Sequence, residues 1–303
     1  MRLAFFEGTY IKEEQAKVNI STLGFSLGAS VFEACRVNYN KENDTYFLFR
    51  IKDHICRLFQ SMKIMRMLSP YSQEQLLECV VSLVKKWNMK TDGYIKIMAY
   101  ISSPSPGSSV FHPDDVTTDI CAIISPSNWP REMQSGIHVC VSSWTRIRDN
   151  GMPPRVKSVC NYENTRLAGY EAILNGYDNA IMLNNQGKVS EAAESAIFLV
   201  DGNTIVTPNV TSDILNSITR NTIIANCMGK FDIEERVVDR SELYLASEIF
   251  LCNTAKLIRP VLSVDKIVIG NGEVGKVTKE VQSDYKKVAY GYDKDYLHRS
   301  IVV

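Results

Sequence analysis

A segment with two prolines divides this chain into two parts. It reads Ser125-Pro126-Ser127-Asn128-Trp129-Pro130 and lies between extended runs over residues 119–125 and 137–144. Proline interrupts regular structure, so the segment is the best candidate for a domain linker. The chain has 303 residues, which is enough for two domains of ordinary size or one large domain.

Helical and extended patterns are mixed on both sides of this segment. Apolar residues recur at spacings of three and four after Asp53, which predicts a helix. Ser72-Gln73-Glu74-Gln75 resembles a capping box and predicts the start of a second helix. Asp201-Gly202-Asn203 between two apolar runs predicts a β-hairpin. With no regular βαβ series, G-x-G-x-x-G motif or Walker-type loop, the pattern predicts an α+β fold in two parts.

Composition excludes several classes of protein. Lys plus Arg and Asp plus Glu are both 34, so no net charge favours nucleic acid or an anionic membrane. No apolar run approaches 18 residues, and the N-terminal residues lack the apolar run of a signal peptide. The eight cysteines are scattered without a C-x-x-C pair, which argues against a metal site or a disulfide framework. We therefore expect a cytoplasmic protein with reduced thiols.

Three residues in the second half are suited to one cofactor. Lys157 precedes a predicted helix that begins near Tyr162, and Glu191 follows in Val189-Ser190-Glu191-Ala192-Ala193. A lysine, a tyrosine and a carboxylate can hold and tune pyridoxal 5'-phosphate (PLP), whose ring accepts electrons when its nitrogen is protonated. Taken alone, each residue is also compatible with an ordinary surface or packed side chain.

Six segments in the same order resemble the class IV, or fold-type IV, PLP-dependent aminotransferases. The resemblance is closest to the branched-chain amino-acid aminotransferases. Each segment is a weak signal by itself, and the six together identify the chain as a member of this superfamily. The segments are Leu27-Gly28-Ala29-Ser30-Val31-Phe32-Glu33-Ala34-Cys35-Arg36, Phe49-Arg50 to Arg57-Leu58, Val141-Ser142-Ser143-Trp144-Thr145-Arg146 with Lys157 and Asn161-Tyr162, Ser190-Glu191 with Ile197-Phe198, Ile218-Thr219-Arg220, and Asn253-Thr254-Ala255 with Pro260-Val261.

The resemblance implies a two-domain fold like that of D-amino-acid aminotransferase. It implies a small N-terminal α/β domain over residues 1–125, a linker over 126–136 and a larger C-terminal PLP-binding domain over 137–303. It also implies a homodimer or a higher homo-oligomer.

The resemblance assigns roles in cofactor binding. Lys157 would form the Schiff base and, once freed, act as the catalytic base. Glu191 would bind the pyridine nitrogen, Tyr162 the phenolic oxygen, and Arg57 the phosphate. The alternative for Arg57 is an ion pair with Asp53, four residues earlier. Further cofactor contacts are assigned to Ile218, Thr219, Asn253 and Thr254.

The resemblance also marks residues for the substrate. The positions assigned to substrate binding are Phe32, Arg36, Tyr94, Lys96, Thr254 and Ala255. Branched-chain enzymes often have arginine where this chain has Lys96, and that arginine is associated with the side-chain carboxylate of glutamate. Lysine keeps the charge but loses the bidentate fork. Leu27, Ala192, Ala196 and Asn253 also depart from the family pattern, which leaves the substrate open.

The favoured activity is transfer of an amino group from an amino acid, of the branched-chain type, to a 2-oxo acid such as 2-oxoglutarate. The partners would then be small molecules rather than nucleic acid or membrane. A PLP lyase resembling aminodeoxychorismate lyase and a D-amino-acid transaminase are the alternative enzymes. A PLP-binding paralogue without activity is the alternative of a different class.

Overall fold

A computed structural model describes residues 2–104, 111–128 and 132–303. In the first part of the chain the elements are β1 (Leu3–Phe6), β2 (Thr9–Lys12), α1 (Leu23–Ser26), β3 (Ser30–Asn40), β4 (Thr45–Phe49), α2 (Ile51–Ile64), α3 (Gln73–Trp87), β5 (Gly93–Ile101) and β6 (Thr118–Pro126). They continue with α4 (Glu132–Ser135), β7 (Ile137–Val141), α5 (Asn161–Leu174), β8 (Asn179–Leu183), β9 (Val189–Ala192), β10 (Ala196–Asp201), β11 (Thr204–Pro208), α6 (Ile218–Cys227), β12 (Asp232–Arg236), β13 (Glu248–Asn253), β14 (Leu257–Val264), β15 (Ile267–Val268), α7 (Lys276–Ala289) and β16 (Ser300–Val302).

The chain forms two compact units. Unit 1 comprises Met1–Asn128, Val156–Cys160 and Val288–Val303, and unit 2 comprises Trp129–Arg155 and Asn161–Lys287. The short segment that carries Lys157 therefore packs with unit 1, although the residues on either side of it belong to unit 2. The domains expected from the sequence, with their linker over 126–136, stay a prediction, and residues 129–131 of that linker lie outside the described residues.

Unit 1 is built on an antiparallel sheet covered by two helices. Its strand order is β16-β4-β3-β5-β6-β1-β2, and every neighbouring pair is antiparallel. Helices α2 and α3 contribute their apolar stripes to one core with the sheet. In α2 this stripe is Ile51, Ile55, Leu58 and Met62, which recur at the helical period and are all buried.

Unit 2 contains a mixed sheet. Its strand order is β12-β11-β10-β13-β14-β7-β8-β9, with β15 paired to β14. The pairs β11–β12, β14–β7 and β7–β8 are parallel, and the other pairs are antiparallel. Helix α5 packs the small side chains of Ala168 and Ala172 against β8. Helices and sheets alternate irregularly in both units, which confirms the predicted α+β class.

Two local predictions are confirmed by hydrogen bonds. Ser72 and Gln75 form the capping box at the start of α3, with Ser72 N–H to Gln75 Oε1 at 2.8 Å and Gln75 N–H to Ser72 Oγ at 3.2 Å. The predicted hairpin joins β10 to β11, with Asp201 paired to Thr204. Within the described residues, no helix has the length and apolar content needed to cross a membrane.

Replacement of Ser72 by Ala should destabilise unit 1, because one N–H at the start of α3 loses its acceptor. The expected cost is about 1 kcal/mol in the free energy of unfolding. Urea denaturation should show a lower midpoint for Ser72→Ala than for the wild type. The matched control is Gln73→Ala, an exposed neighbour that does not cap the helix. Equal midpoints for the two variants would contradict the assignment of this cap.

Candidate active site

The backbone of the Lys157 segment is paired to strand β3 within unit 1. Phe32 donates its N–H to the Lys157 carbonyl at 2.9 Å, and Val159 donates to the Ser30 carbonyl at 3.1 Å. The Lys157 N–H donates to Oγ of Ser61 in α2 at 3.3 Å. Along one edge of β3, strand β4 pairs only with the second half of the strand. The Lys157 segment lies along the first half of that edge, which β4 leaves open. Both backbone polar groups of Lys157 are thereby held in place.

The side chain of Lys157 lies beside an aromatic ring that it shares with a second lysine. The Nζ atoms of Lys157 and Lys96 are each 4.7 Å from the centroid of the Phe32 ring. This distance is typical of a cation–π contact. Burial lowers the pKa of Lys96, and the positive charge of Lys157 lowers it further. Two ammonium groups near one ring make this part of unit 1 suited to an anion.

Four residues assigned to the substrate lie on one face of the unit 1 sheet. On β3 these are Phe32 and Arg36, and on β5 they are Tyr94 and Lys96. Arg36 is paired with Tyr94, and Ala34, between Phe32 and Arg36, is paired with Lys96. Because alternate residues of a strand share a face, all four side chains lie on the same side of the sheet. The structure thus brings together the predicted substrate residues of unit 1.

Arg57 is paired to a buried carboxylate from β3. Its Nε donates to Glu33 Oε1 at 2.6 Å and its Nη2 donates to Glu33 Oε2 at 2.9 Å. The same Oε2 lies 2.8 Å from Nδ1 of His54. The ion pair of Arg57 with Asp53, considered as an alternative, is wrong, because Asp53 pairs with Arg50 at 2.6 Å and Arg57 with Glu33.

Charge and burial act in opposite directions in this cluster. Burial alone would raise the pKa of Glu33, but the guanidinium of Arg57 and the hydrogen bond from His54 outweigh burial and lower it to about 2. Burial lowers the pKa of His54 below its ordinary value. Glu33 is therefore an anion and His54 is neutral at pH 7, with Nδ1–H as the donor, since an ionised carboxylate only accepts.

In unit 2, Glu191 is buried on β9 and held by an arginine. Its Oε1 lies 2.8 Å from Nη2 of Arg146, and its Oε2 accepts the N–H of Leu215 at 3.3 Å. Arg146 is itself buried, and its Nε and Nη1 have no hydrogen-bond partner among the described residues. Glu191 is not the solvated strand residue that its local sequence also allows. A carboxylate held in this way can accept a hydrogen bond from a protonated ring nitrogen.

Helix α6 begins shortly after Leu215, the residue whose N–H donates to Glu191. Ser217 is the N-cap, and its Oγ accepts the N–H of Arg220 at 3.2 Å. Ile218 and Thr219 form the first turn, and both are buried. Backbone N–H groups and the helix dipole make such a terminus suited to a phosphate.

The remaining predicted residues of unit 2 lie in a turn and on a helix. Thr254 and Ala255 are in the turn between β13 and β14, where Thr254 is half-buried and Ala255 exposed. Asn253 shapes this turn, because its Nδ2 donates to Ser195 Oγ at 2.9 Å and its Oδ1 accepts the Lys256 N–H at 2.6 Å.

Tyr162 is half-buried in the first turn of α5. Sequence reasoning assigned no role to four residues that hold predicted site residues within each unit: Glu33, His54 and Ser61 in unit 1, and Arg146 in unit 2. Three of them, Glu33, His54 and Arg146, lie in segments that carry the family resemblance. For Glu33 the available signal was a charged residue among apolar neighbours.

Comparison with known proteins defines the family. A family model described as amino-transferase class IV matches residues 30–264. The chain is 36% identical over 298 residues to a protein of Aquifex aeolicus (strain VF5) named probable branched-chain-amino-acid aminotransferase, covering 98% of this chain and 95% of that protein. The chain therefore belongs to the class IV aminotransferases, which confirms the predicted family and enzyme class.

Solved structures agree with this assignment. A branched-chain amino acid aminotransferase from Thermobaculum terrenum in its PLP-form has a TM-score of 0.92 at 36% identity, covering 99% of this chain and 97% of that chain. A branched-chain aminotransferase from the archaeon Thermoproteus uzoniensis, solved with norvaline, has a TM-score of 0.91 at 32% identity, covering 99% of this chain and 98% of that chain. The predicted fold-type IV architecture is confirmed, and the transaminase is favoured over the lyase.

The lowered pKa of His54 predicts a loss of stability in acid. His54 is neutral in the folded protein, so its contribution is present above its ordinary pKa of 6.5 and is lost as the pH falls. Urea unfolding between pH 7 and 5 should show a stability slope of up to about 1.4 kcal/mol per pH unit from this group. His54→Gln should flatten that slope. The same slope in both proteins would contradict a neutral buried His54.

Proposed function

We propose that this chain is a PLP-dependent aminotransferase that transfers the amino group of a branched-chain amino acid to a 2-oxo acid such as 2-oxoglutarate. The observation that carries the proposal is the position of Lys157. Its backbone is held on both sides, and its side chain lies half-buried next to Phe32. The names of the relatives support the branched-chain class.

The residues of unit 1 fit the cofactor chemically. Lys157 would hold PLP covalently through Nζ, and Arg57 would donate to the phosphate. A guanidinium has five N–H donors in a planar group that suits a phosphate, and Nε and Nη2 of Arg57 donate to Glu33. The sheet face with Phe32 and Lys96 next to Lys157 adds positive charge that suits an anionic cofactor and an anionic substrate.

The residues of unit 2, taken by themselves, also offer groups that suit PLP chemically. Glu191, held by Arg146, would accept a hydrogen bond from the pyridine nitrogen. The N–H groups of Ile218 and Thr219 would donate to the phosphate, and Thr254 would add its hydroxyl group. Tyr162 would donate to the phenolic oxygen, and Asn253 would orient the turn that carries Thr254.

When bound, PLP supplies an electron-accepting ring that stabilises negative charge at the α-carbon of the substrate. Once the amino group of the substrate has taken the place of Lys157 on the cofactor, the freed amine of Lys157 would carry the proton from the α-carbon to the cofactor side of the bond. Glu191 would keep the ring nitrogen protonated, since an ionised carboxylate favours the charged form of its partner. Arg146 would in turn hold the Glu191 carboxylate in its orientation.

The sheet face of unit 1 suits both partners of a transamination. Phe32 and Tyr94 offer aromatic area for an apolar side chain, although such a surface discriminates only weakly between homologous amino acids. Lys96 offers one charge for the side-chain carboxylate of a dicarboxylic partner, and Ala255 and Arg36 are further substrate positions. The homo-oligomer and the cytoplasmic location expected from the sequence stay predictions.

Replacement of Lys157 by Ala should abolish the visible absorbance of covalently held PLP. The rate of amino transfer should fall on the order of 10²–10⁴-fold, the usual contribution of a positioned acid–base group. The matched control is Lys63→Ala, an exposed lysine in the last turn of α2. If Lys157→Ala keeps the wild-type spectrum and turnover, Lys157 does not carry the chemistry.

Replacement of Lys96 by Met should impair the dicarboxylic partner selectively. Loss of one charge-assisted hydrogen bond should raise the KM for 2-oxoglutarate about 10-fold or more, because such a bond contributes ~1.5–3 kcal/mol. The KM for leucine should change little, and Lys96→Arg should preserve 2-oxoglutarate binding because the charge is kept. Equal effects on leucine and 2-oxoglutarate would show that Lys96 does not select between them.

A further inference from the structure

We propose that Glu33 is a positioning residue, which holds the guanidinium of Arg57 in the orientation needed to bind the phosphate group of the cofactor. The inference rests on the proposed function, since it concerns the same PLP site. Glu33 would not touch the cofactor. It would act on affinity for the phosphate through Arg57 alone.

The location of Glu33 is unusual for a carboxylate. It is 0% exposed, and its neighbours on the same face of β3 are Val31, Cys35 and Val37, all of them buried. On the neighbouring strand β5, Glu33 is paired with Ile97. An apolar residue would suit this layer, because replacing a buried ion pair by well-packed apolar residues is often neutral or stabilising. Stability alone therefore does not account for a carboxylate here.

The contact between Glu33 and Arg57 restricts the guanidinium more than a single bond would. The two bonds, from Nε and Nη2, join one edge of the planar group to both carboxylate oxygens. Two parallel bonds define the plane and the direction of the guanidinium. An unrestrained arginine side chain populates many rotamers, so fixing it beforehand reduces the entropy lost when an anion binds.

His54 supports the carboxylate from the same helix. It lies three residues before Arg57 on α2, and its Nδ1 donates to Glu33 Oε2 at 2.8 Å. Because His54 is neutral, it orients Glu33 without adding a second positive charge to the cluster. Glu33 thus balances one cation, Arg57, and is held at both oxygens.

The test compares two ligands that differ only in the phosphate. Dissociation constants for PLP and for pyridoxal, which lacks the phosphate, are measured on the full-length apoprotein by absorbance and by fluorescence. Glu33→Gln should weaken PLP binding about 10- to 100-fold, the range for one or two charge-assisted hydrogen bonds. Pyridoxal binding should change less than about two-fold. The ratio of the two constants is insensitive to a general loss of folded protein.

The matched control is Ile97→Val, a small change in packing directly across the sheet from Glu33. It should leave the ratio of the PLP and pyridoxal constants unchanged. Glu33→Asp keeps the charge, so it should retain part of the preference for PLP over pyridoxal that Glu33→Gln loses. A structural role alone would weaken the binding of PLP and of pyridoxal to the same degree in Glu33→Gln and Glu33→Asp, and that result would overturn the inference.

A double variant keeps the test valid if Glu33→Gln does not fold. Glu33→Met combined with Arg57→Met replaces the ion pair with an apolar pair, which the buried layer should tolerate. The ratio of the PLP and pyridoxal dissociation constants should be the same in the double variant as in Arg57→Met alone, because Glu33 acts only through Arg57. If the double variant weakened PLP binding relative to pyridoxal binding more than Arg57→Met does, Glu33 would not act through Arg57 alone.

Failure of the inference differs from failure of the proposed function. If the wild type binds neither PLP nor pyridoxal, the proposed function is wrong and the inference with it. If the wild type favours PLP and Glu33→Gln does so to the same degree, only the role of Glu33 is wrong.

Discussion

The pairing of the Lys157 segment with β3 is the constraint on which the proposed chemistry depends. A lysine has four rotatable bonds, and its amine can be placed accurately only if the backbone beneath it is fixed. Here the Lys157 carbonyl accepts from Phe32, and the Lys157 N–H donates to Ser61. One contact comes from the sheet and the other from α2, so the segment is held by the two elements that also carry Glu33 and Arg57.

Each unit also buries an ion pair between arginine and a carboxylate. In unit 1 Arg57 pairs with Glu33, and in unit 2 Arg146 pairs with Glu191. Desolvation makes such pairs costly, and their attraction offsets this cost only when the geometry is good. The two pairs have opposite proposed roles. In unit 1 the carboxylate orients the arginine, whereas in unit 2 the arginine orients the carboxylate.

Local patterns in the sequence predict local structure well in this chain. The apolar period of α2, the capping box at Ser72 and the hairpin at Asp201 depend on neighbours within a few residues, and all three are confirmed. The family could also be predicted, because six ordered segments restrict the choice strongly. The alternative partner of Arg57 was wrong for the corresponding reason, since spacing along one helix suggested Asp53 and tertiary packing supplied Glu33 instead.

The support of the site could not be predicted from the sequence. The contacts of Glu33 with Arg57 and with His54 depend on how β3 and α2 pack, and the contact of Arg146 with Glu191 joins residues far apart in the chain. For the same reason, no local signal shows that the Lys157 segment packs with unit 1 rather than with its neighbours in sequence.

The most direct test of this account is to locate the lysine that binds the cofactor. The protein is incubated with PLP and treated with borohydride, which makes the covalent link permanent, and its peptides are then mapped by mass spectrometry. The account predicts a phosphopyridoxyl group on the peptide that contains Lys157, in stoichiometric amount. Labelling of another lysine, or no stable labelling under conditions in which a known PLP enzyme is modified, would contradict it.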